Sequence, residues 1–194
     1  MATMAHRGVD REPTFDFGRT DAEERLAELI VYVAEKCASD PYFGATKLNK
    51  ILWATDMISY ARYGQPVTGV AYQRLDAGPA PKRLLPVKRK LLEEGQIFEV
   101  RRQIGRLTQK RIVPTRNADL ERFSGRDIAM VDEAIDIFCG KTAVETSDMS
   151  HKRAWHVAGP GGLIPYEAVF LSDEPVTDYD IDRTQELNHR FHWE

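Results

Sequence analysis

The stretch from Thr46 to Tyr63 most constrains the fold, because it is apolar on two sides of a predicted helix. With successive residues turned by about 100°, its apolar side chains fall into two stripes on nearly opposite sides. One stripe comprises Leu48, Ile51, Leu52, Thr55 and Ile58, and the other comprises Trp53, Met57 and Tyr60. A helix that is apolar on two sides is packed on two sides. We therefore predict a central helix, capped by Thr46 and ended by Gly64, against which the other elements pack.

Further segments carry the patterns of helices and strands. Thr20 and Glu23 form a capping-box signature at the start of one helix, and Thr142 and Glu145 form another. Ser124 is a third candidate cap. In chain order the sequence predicts a helix over 20–38, the central helix, an extended segment compatible with a strand over 67–72, a turn cluster at 75–81, a helix over 82–94, strands over 97–102 and 109–114, a helix over 124–139, a short helix from Thr142 to His151, and an acidic helix over 180–190.

Charge is distributed unevenly along the 194 residues, although the net charge is only -3. Residues 82–116 contain 11 basic and 3 acidic side chains, whereas residues 117–194 contain 7 basic and 16 acidic ones. The basic segment and the acidic segment can partly neutralise each other within the fold. We expect a flexible arm over 1–19, a folded body over 20–171, and an acidic, partly helical extension over 172–194.

Cysteine usage and hydropathy indicate the cellular compartment in which we expect the protein. Cys37 and Cys139 each lie in an apolar helical pattern, which predicts reduced, buried thiols and no disulfide. No N-terminal apolar run resembles a signal peptide, and no stretch approaches the roughly 20 apolar residues of a membrane span. We therefore expect a cytoplasmic protein that makes no contact with a membrane.

Catalytic motifs are missing from the sequence. It contains no Gly-x-Ser-x-Gly elbow, no phosphate-binding loop and no dinucleotide fingerprint. Its histidines and cysteines form no convincing metal or nucleophile constellation. We therefore predict that the chain is not an enzyme, has no catalytic residues and binds no metal or cofactor. Such a chain is expected to act by binding.

Several weak motifs in a fixed order resemble one known family. They are Thr46-Lys-Leu-Asn-Lys-Ile-Leu-Trp53, Tyr63-Gly-Gln-Pro66, Tyr72-Gln-Arg-Leu-Asp-Ala-Gly-Pro79, and Lys141-Thr-Ala-Val-Glu-Thr-Ser-Asp-Met-Ser-His151 followed by Trp155. In these residues the chain resembles the Panacea-domain proteins, which include the SocA-type proteolytic adaptor and many phage- and operon-associated antitoxins. The resemblance covers about residues 20–171. It implies an α+β fold, a mostly helical single domain with a small antiparallel β-sheet or hairpin.

The resemblance also implies a protein partner. The expected role is that of an antitoxin, which binds a co-encoded toxin and either blocks it or delivers it to a protease. The candidate contacts surround the Gly78-Pro79 turn, with Trp155 as an aromatic anchor, because aromatic and arginine side chains dominate interface energies. These predicted partner-binding residues are Tyr72, Arg74, Gly78, Pro79, Lys82, Arg83 and Trp155. Core packing is the alternative for Tyr72 and Trp155.

A second hypothesis comes from the basic segment alone. A helix with a basic face followed by an arginine-rich hairpin is the local pattern of a winged-helix DNA-binding regulator. Pro86 weighs against this pattern if it kinks the helix; otherwise the helix begins near Leu85. The nucleic-acid contacts in this alternative are Arg83, Arg89, Lys90, Arg101, Arg102, Arg106, Lys110 and Arg111. The same charges could instead dock an acidic protein surface.

Overall fold

The structure is a computed structural model that describes residues 12–104, 107–151, 153–171, 173–174 and 177–191. Residues 14–171 form one compact unit, and the described residues on either side of it belong to a second unit. The larger unit is a mostly helical α+β fold with small antiparallel sheets, as the sequence predicted. In the described residues, no helix combines the length and apolar character needed to span a bilayer.

The elements of the larger unit follow one another closely along the chain. Its helices are α1 (Ala22–Lys36), α2 (Ala45–Tyr63), α3 (Leu84–Glu93), α4 (Gly125–Phe138), α5 (Ala143–Ser150) and α6 (Arg153–His156), with a 3-10 helix at Tyr166–Phe170. Its strands are β1 (Tyr72–Leu75), β2 (Gly78–Pro81), β3 (Ile97–Ile104), β4 (Leu107–Pro114) and β5 (Leu163–Ile164). The second unit contains α7 (Asp178–Phe191), whose first turn is capped by the Thr177 hydroxyl, which accepts from the Asp180 N–H.

Helix α2 is the central helix that the sequence predicted. It packs against α1, α4, α5, β2, β4 and the 3-10 helix, and its apolar side chains join the main core. Its N-terminal cap is Gly44, which provides no side-chain hydrogen bond, so the prediction that Thr46 caps it is wrong. Gly64 ends the helix as predicted, in the left-handed conformation with φ 67°.

Of the side-chain caps predicted for three other helices, two are formed and one is not. Ser124 and Asp127 form a capping box on α4, and Thr142 and Glu145 form one on α5. Helix α1 instead begins after Asp21, without a side-chain cap, so the predicted capping box at its start is not formed. The Asp21 carboxylate binds the guanidinium of Arg19 at 3.1 Å.

A three-stranded antiparallel sheet has the order β2-β1-β5 in the described chain. Leu75 pairs with Gly78, so a two-residue turn joins β1 and β2. The turn predicted over 75–81 is therefore a tight hairpin in which Gly78–Pro81 is itself a strand. Two prolines are tolerated there because β2 is an edge strand. The strand predicted over 67–72 begins only at Tyr72.

Strands β3 and β4 form a separate antiparallel hairpin, longer than the sequence predicted. Ile97 and Ile112 at its base are buried in the core beside α3, while the outer half of β3 is exposed. Residues 105 and 106, at the tip, lie outside the described residues.

The larger unit begins at Thr14, so residues 14–19 belong to it. The N–H of Phe17 donates to the carbonyl of Gly69 at 3.0 Å, and its ring packs edge-on against Tyr60 and Tyr166. Both cysteines are free thiols. Cys37 is buried as predicted, but Cys139 is exposed just after α4, so that part of the prediction is wrong.

Candidate partner-binding surface

A fully buried carboxylate on α2, that of Asp56, fixes the strand that leads to the candidate surface. Its Oδ1 accepts from the N–H of Thr68 at 2.7 Å, and its Oδ2 lies against the Thr68 hydroxyl. The hydroxyls of Tyr72 and Tyr166 lie 3.0 and 3.2 Å from the same Oδ2. Burial raises the pKa of Asp56, while these hydrogen bonds act in the opposite direction. The network ties β1 and the 3-10 helix to α2.

A buried lysine on α2 supports the β1–β2 hairpin from below. Lys50 is 1% exposed, and its Nζ donates to the carbonyl of Pro79 at 3.0 Å. Burial lowers the pKa of Lys50 to about 7, because desolvation disfavours its charged form. The adjacent Gly78 has φ 98°, and a Cβ there would lie 2.6 Å from both Lys50 Nζ and Ser150 Oγ. A side chain at position 78 would therefore displace the lysine.

Above this buried layer, Trp155 on α6 is held at the surface by contacts with four residues. Its Nε1 donates to the carbonyl of Leu75 at 3.1 Å, which attaches the ring to the β1–β2 turn. The guanidinium of Arg74 lies 3.8 Å from the ring centroid. His151 stacks on the indole at 4.3 Å, and His156 meets it edge-on at 4.8 Å. We call Arg74, His151, Trp155 and His156 the Trp155 surface.

The side chains of the Trp155 surface are held by mutual contacts, and some of them are partly desolvated. Arg74 is fixed twice, since its Nη1 donates to the carbonyl of Ala158 at 2.6 Å while its face covers the indole. Burial, followed by the nearby charge of Lys50, lowers the pKa of His151. An aromatic ring with a guanidinium stacked on it presents apolar area and directed N–H donors together. This arrangement is suited to binding a protein surface.

The polar groups beside His151 are arranged for structure. The Ser147 hydroxyl donates to the carbonyl of Ala77 at 2.9 Å and lies 3.5 Å from His151 Nε2. The shorter of the two contacts is the one to the carbonyl, which ties α5 to the β1–β2 turn. The thiol of Cys37 is inert, since burial raises its pKa to about 12.

The structure brings together two of the seven predicted partner-binding residues, Arg74 and Trp155. Tyr72, Gly78 and Pro79 are buried, so they support the surface from inside. The hydroxyl of the buried Tyr72 lies within hydrogen-bonding distance of the Asp56 carboxyl group and the carbonyl of Leu52. The remaining two, Lys82 and Arg83, are exposed, and the guanidinium of Arg83 binds Glu23 of α1 at 2.6 Å.

The residues of the DNA-binding alternative have different surroundings in the structure. Arg111 is unavailable for a wing, because its guanidinium donates to the carbonyls of Cys37, Ala38 and Asp40. Arg106 lies outside the described residues. The other six are exposed, namely Arg83, Arg89, Lys90, Arg101, Arg102 and Lys110.

A comparison with protein families gives one match over this part of the chain. The model of the family described as "Antitoxin SocA-like, Panacea domain" matches residues 48–156. The chain belongs to this family. The matched segment of the Panacea domain runs from α2 to the end of α6, and thus includes Lys50, Asp56 and the Trp155 surface. No curated protein and no solved structure matches the chain.

Two features of the Panacea domain were missed by the sequence analysis. His151 was placed at the end of a helix but was not assigned to the surface, because only the fold sets it against Trp155. Lys50 left a usable signal: it lies three residues before Trp53 and seven before Met57, on the second apolar stripe of α2. A lysine on an apolar stripe indicates a buried amine.

Proposed function

We propose that this Panacea-domain protein is an antitoxin that neutralises a co-encoded toxin by direct binding. The family membership supports an antitoxin-like role, and the stack of Arg74, Trp155 and His151 is the observation that carries the choice of surface. In this proposal Trp155 is the central anchor of the complex and Arg74 supplies hydrogen-bond donors around it.

Pre-organisation makes this surface an efficient anchor. Trp155 is half-buried and already fixed by a hydrogen bond to the carbonyl of Leu75, so binding costs little additional side-chain entropy. Leu75, whose carbonyl accepts this hydrogen bond, is 40% exposed, and Val157, two residues after Trp155, is 50% exposed; both add apolar area. Tryptophan and arginine in such settings are the residue types that contribute most to interface free energies.

Binding, and no catalysis, is part of the proposal. The hydroxyl of Ser147 donates to a backbone carbonyl, and the buried thiol of Cys37 stays protonated at neutral pH. Delivery of the bound toxin to a protease would use the same complex as its first step. The two outcomes differ in the lifetime of the toxin: it is shortened by delivery and unchanged by simple blocking.

Co-expression tests the proposal. The open reading frame adjoining this one is expressed from an inducible promoter, with and without this protein, and growth is recorded. We expect the neighbour to arrest growth and this protein to restore it, with the two proteins eluting as one complex from a sizing column. A harmless neighbour, or toxicity that this protein leaves unchanged, would refute the antitoxin role.

DNA binding is the second candidate, and one observation favours it. Pro86 lies in the first turn of α3, which begins at Leu84, so the proline does not interrupt the helix body. Exposed basic side chains then follow on α3 and β3, including Arg89, Lys90 and Arg101. If this candidate is right, affinity for a duplex falls with salt at a logarithmic slope of about -4 or steeper.

A further inference from the structure

Strand β3 has one open edge in the described part of the chain, where only β4 pairs with it. The N–H of Thr115 donates to the carbonyl of Gln96 at 3.0 Å, just before the first paired residues. In an antiparallel ladder, hydrogen-bonded and non-hydrogen-bonded pairs alternate. The backbone groups of Glu99 and Arg101 therefore point away from β4, toward the open edge.

One face of β3 also carries an exposed apolar strip. Phe98, Val100 and Ile104 lie on the same face, since side chains alternate along a strand, and they are 47%, 41% and 37% exposed. The exposed Arg102 lies on this face too, between Val100 and Ile104. A strand added at the open edge would place alternate side chains beside this strip. Cross-strand apolar pairs of this kind stabilise sheets.

The charge around the open edge is positive. Arg101, Arg102 and Lys110 are exposed, and Arg101 lies directly opposite Lys110 in the hairpin. Glu99 does not offset them, because its carboxylate is paired with Lys88 at 2.6 Å. A second copy of the β3–β4 hairpin at this edge would bring a second set of the same three positive charges. Charges on an edge strand discourage pairing between copies.

We propose that β3 binds an extended segment of a protein partner as a third strand, with acidic residues alternating with apolar ones. The backbone edge supplies the hydrogen bonds, the face of the apolar strip receives one set of side chains, and Arg101 with Lys110, on the opposite face, attracts the acidic set. The inference rests on the proposed function only in taking the occupant to be a protein. It adds a second docking surface to the Trp155 surface.

The test uses the full chain and a synthetic peptide, acetyl-Val-Glu-Val-Glu-Val-Glu-Val-amide. Its affinity is measured by calorimetric titration, and amide hydrogen exchange of β3 is followed by NMR. We expect binding to slow exchange at Glu99 and Arg101 selectively. A peptide with lysine in place of glutamate should bind at least about tenfold more weakly, because Arg101 and Lys110 lie on the face that its lysines would occupy.

Two proline variants separate edge pairing from general damage to the hairpin. Arg101→Pro removes an N–H that points to the open edge and leaves the ladder to β4 intact, so peptide affinity should fall about tenfold or more. Arg101→Gln tests the loss of charge alone and should have a smaller effect. Thr108→Pro is the matched control: Thr108 pairs with Gln103 in the same register class, so its N–H points away from β3. This variant should bind like the unmodified protein.

Each other outcome overturns the proposal. Unchanged exchange at Glu99 and Arg101 with saturating acidic peptide would do so, and so would equal affinity for the lysine peptide. Protection of the same amides in a concentration-dependent dimer would assign the edge to a second copy, and protection only by a 20-base-pair duplex probe would assign it to DNA. The co-expression experiment is judged with the unmodified protein alone, so a failure of the antitoxin role does not alter the peptide result.

Discussion

The Nζ atom of Lys50 and the carbonyl oxygen of Pro79 lie 3.0 Å apart in the interior of the protein. They join the central helix α2 to strand β2, which turns back from the strand that carries Arg74. The neighbouring lysine on α2, Lys47, is just as buried, but its ammonium is paired with the carboxylate of Asp40 at 2.6 Å. Two buried lysines on one helix therefore have opposite electrostatic situations, and they should respond oppositely to the same substitution.

Lys50→Met should stabilise the protein at neutral and acidic pH. The pKa of Lys50 is about 7 in the fold and 10.5 as its ordinary value, so the unfolded chain binds the extra proton between these limits. Lys50 therefore destabilises the fold most below pH 7, by at most about 5 kcal/mol. This destabilisation disappears as the pH rises from 7 to 10.5, so the free energy of unfolding increases over that range. Urea unfolding from pH 6 to 9.5 should show a larger gain for the variant at pH 6.

Lys47→Met is the matched control for this experiment. It leaves the Asp40 carboxylate buried without its ammonium, which should cost about 3 kcal/mol at pH 7. The two methionine variants should change the free energy of unfolding in opposite directions. If both change it in the same direction, or if the gain of Lys50→Met is independent of pH, the buried amine of Lys50 does not cause the gain.

Gly78→Ala should destabilise the fold by about 2–3 kcal/mol. The residue has φ 98°, which an L side chain rarely adopts, and the new Cβ would meet two buried atoms, Lys50 Nζ and Ser150 Oγ, at 2.6 Å. Gly159→Ala is the control, since no atom lies within 4 Å of its Cβ position and its φ is not in the left-handed range. Equal midpoints of urea unfolding for the two variants would contradict this account.

Much of the fold was accessible from sequence because its signals are local. The apolar stripes of α2 and the cap of α4 at Ser124 depend on residues within one or two helical turns, and both predictions are confirmed. The predictions were wrong where contacts between residues distant in the sequence determine the local structure. The segment before Tyr72 does not form a strand because the N–H of Thr68 is bound by the side chain of Asp56.

The candidate surface was only half accessible for the same reason. Arg74 and Trp155 were selected by residue type, but their contact joins positions 81 residues apart and depends on the pairing of β1 with β5. Tyr72 has the residue type of an interface anchor, yet the buried carboxylate of Asp56 draws its hydroxyl inward. Sequence patterns do not distinguish these two uses of an aromatic side chain.

Asp56→Ala should cost about 3 kcal/mol or more, because it removes the acceptor of Thr68 and leaves buried groups unpaired. Asp56→Asn should cost less than half as much at pH 7. An amide N–H₂ in place of Oδ2 can donate to the hydroxyls of Tyr72 and Tyr166, which themselves donate to the carbonyls of Leu52 and Val70. Urea unfolding of both variants gives the comparison, and equal losses would contradict it.

The pH dependence of Asp56→Asn checks the ionisation of the carboxyl. Burial raises the pKa of Asp56 above its ordinary value of 3.8, so the fold retains a proton that the unfolded chain releases. The stability that this group contributes is therefore complete below pH 3.8 and is lost as the pH rises through the folded pKa. The deficit of the asparagine variant should be largest in acid and should shrink toward neutrality; a growing deficit would show that the carboxylate is ionised.

Trp155→Ala should weaken the complex with the co-encoded toxin by about 30-fold or more while the fold is retained. The indole is half-buried at the surface, so its loss removes the stacking of His151 and Arg74 but leaves the core network of Asp56 in place. Calorimetric titration gives the affinity, and circular dichroism verifies the helix content.

Tyr42→Ala is the control, because Tyr42 is a 42% exposed aromatic residue on the loop before α2 and makes no contact with Trp155 among the described residues. Trp155→Phe should fall between the two, since it keeps a ring for Arg74 but loses the hydrogen bond to Leu75. If Tyr42→Ala weakens the complex and Trp155→Ala does not, the toxin binds elsewhere on the domain.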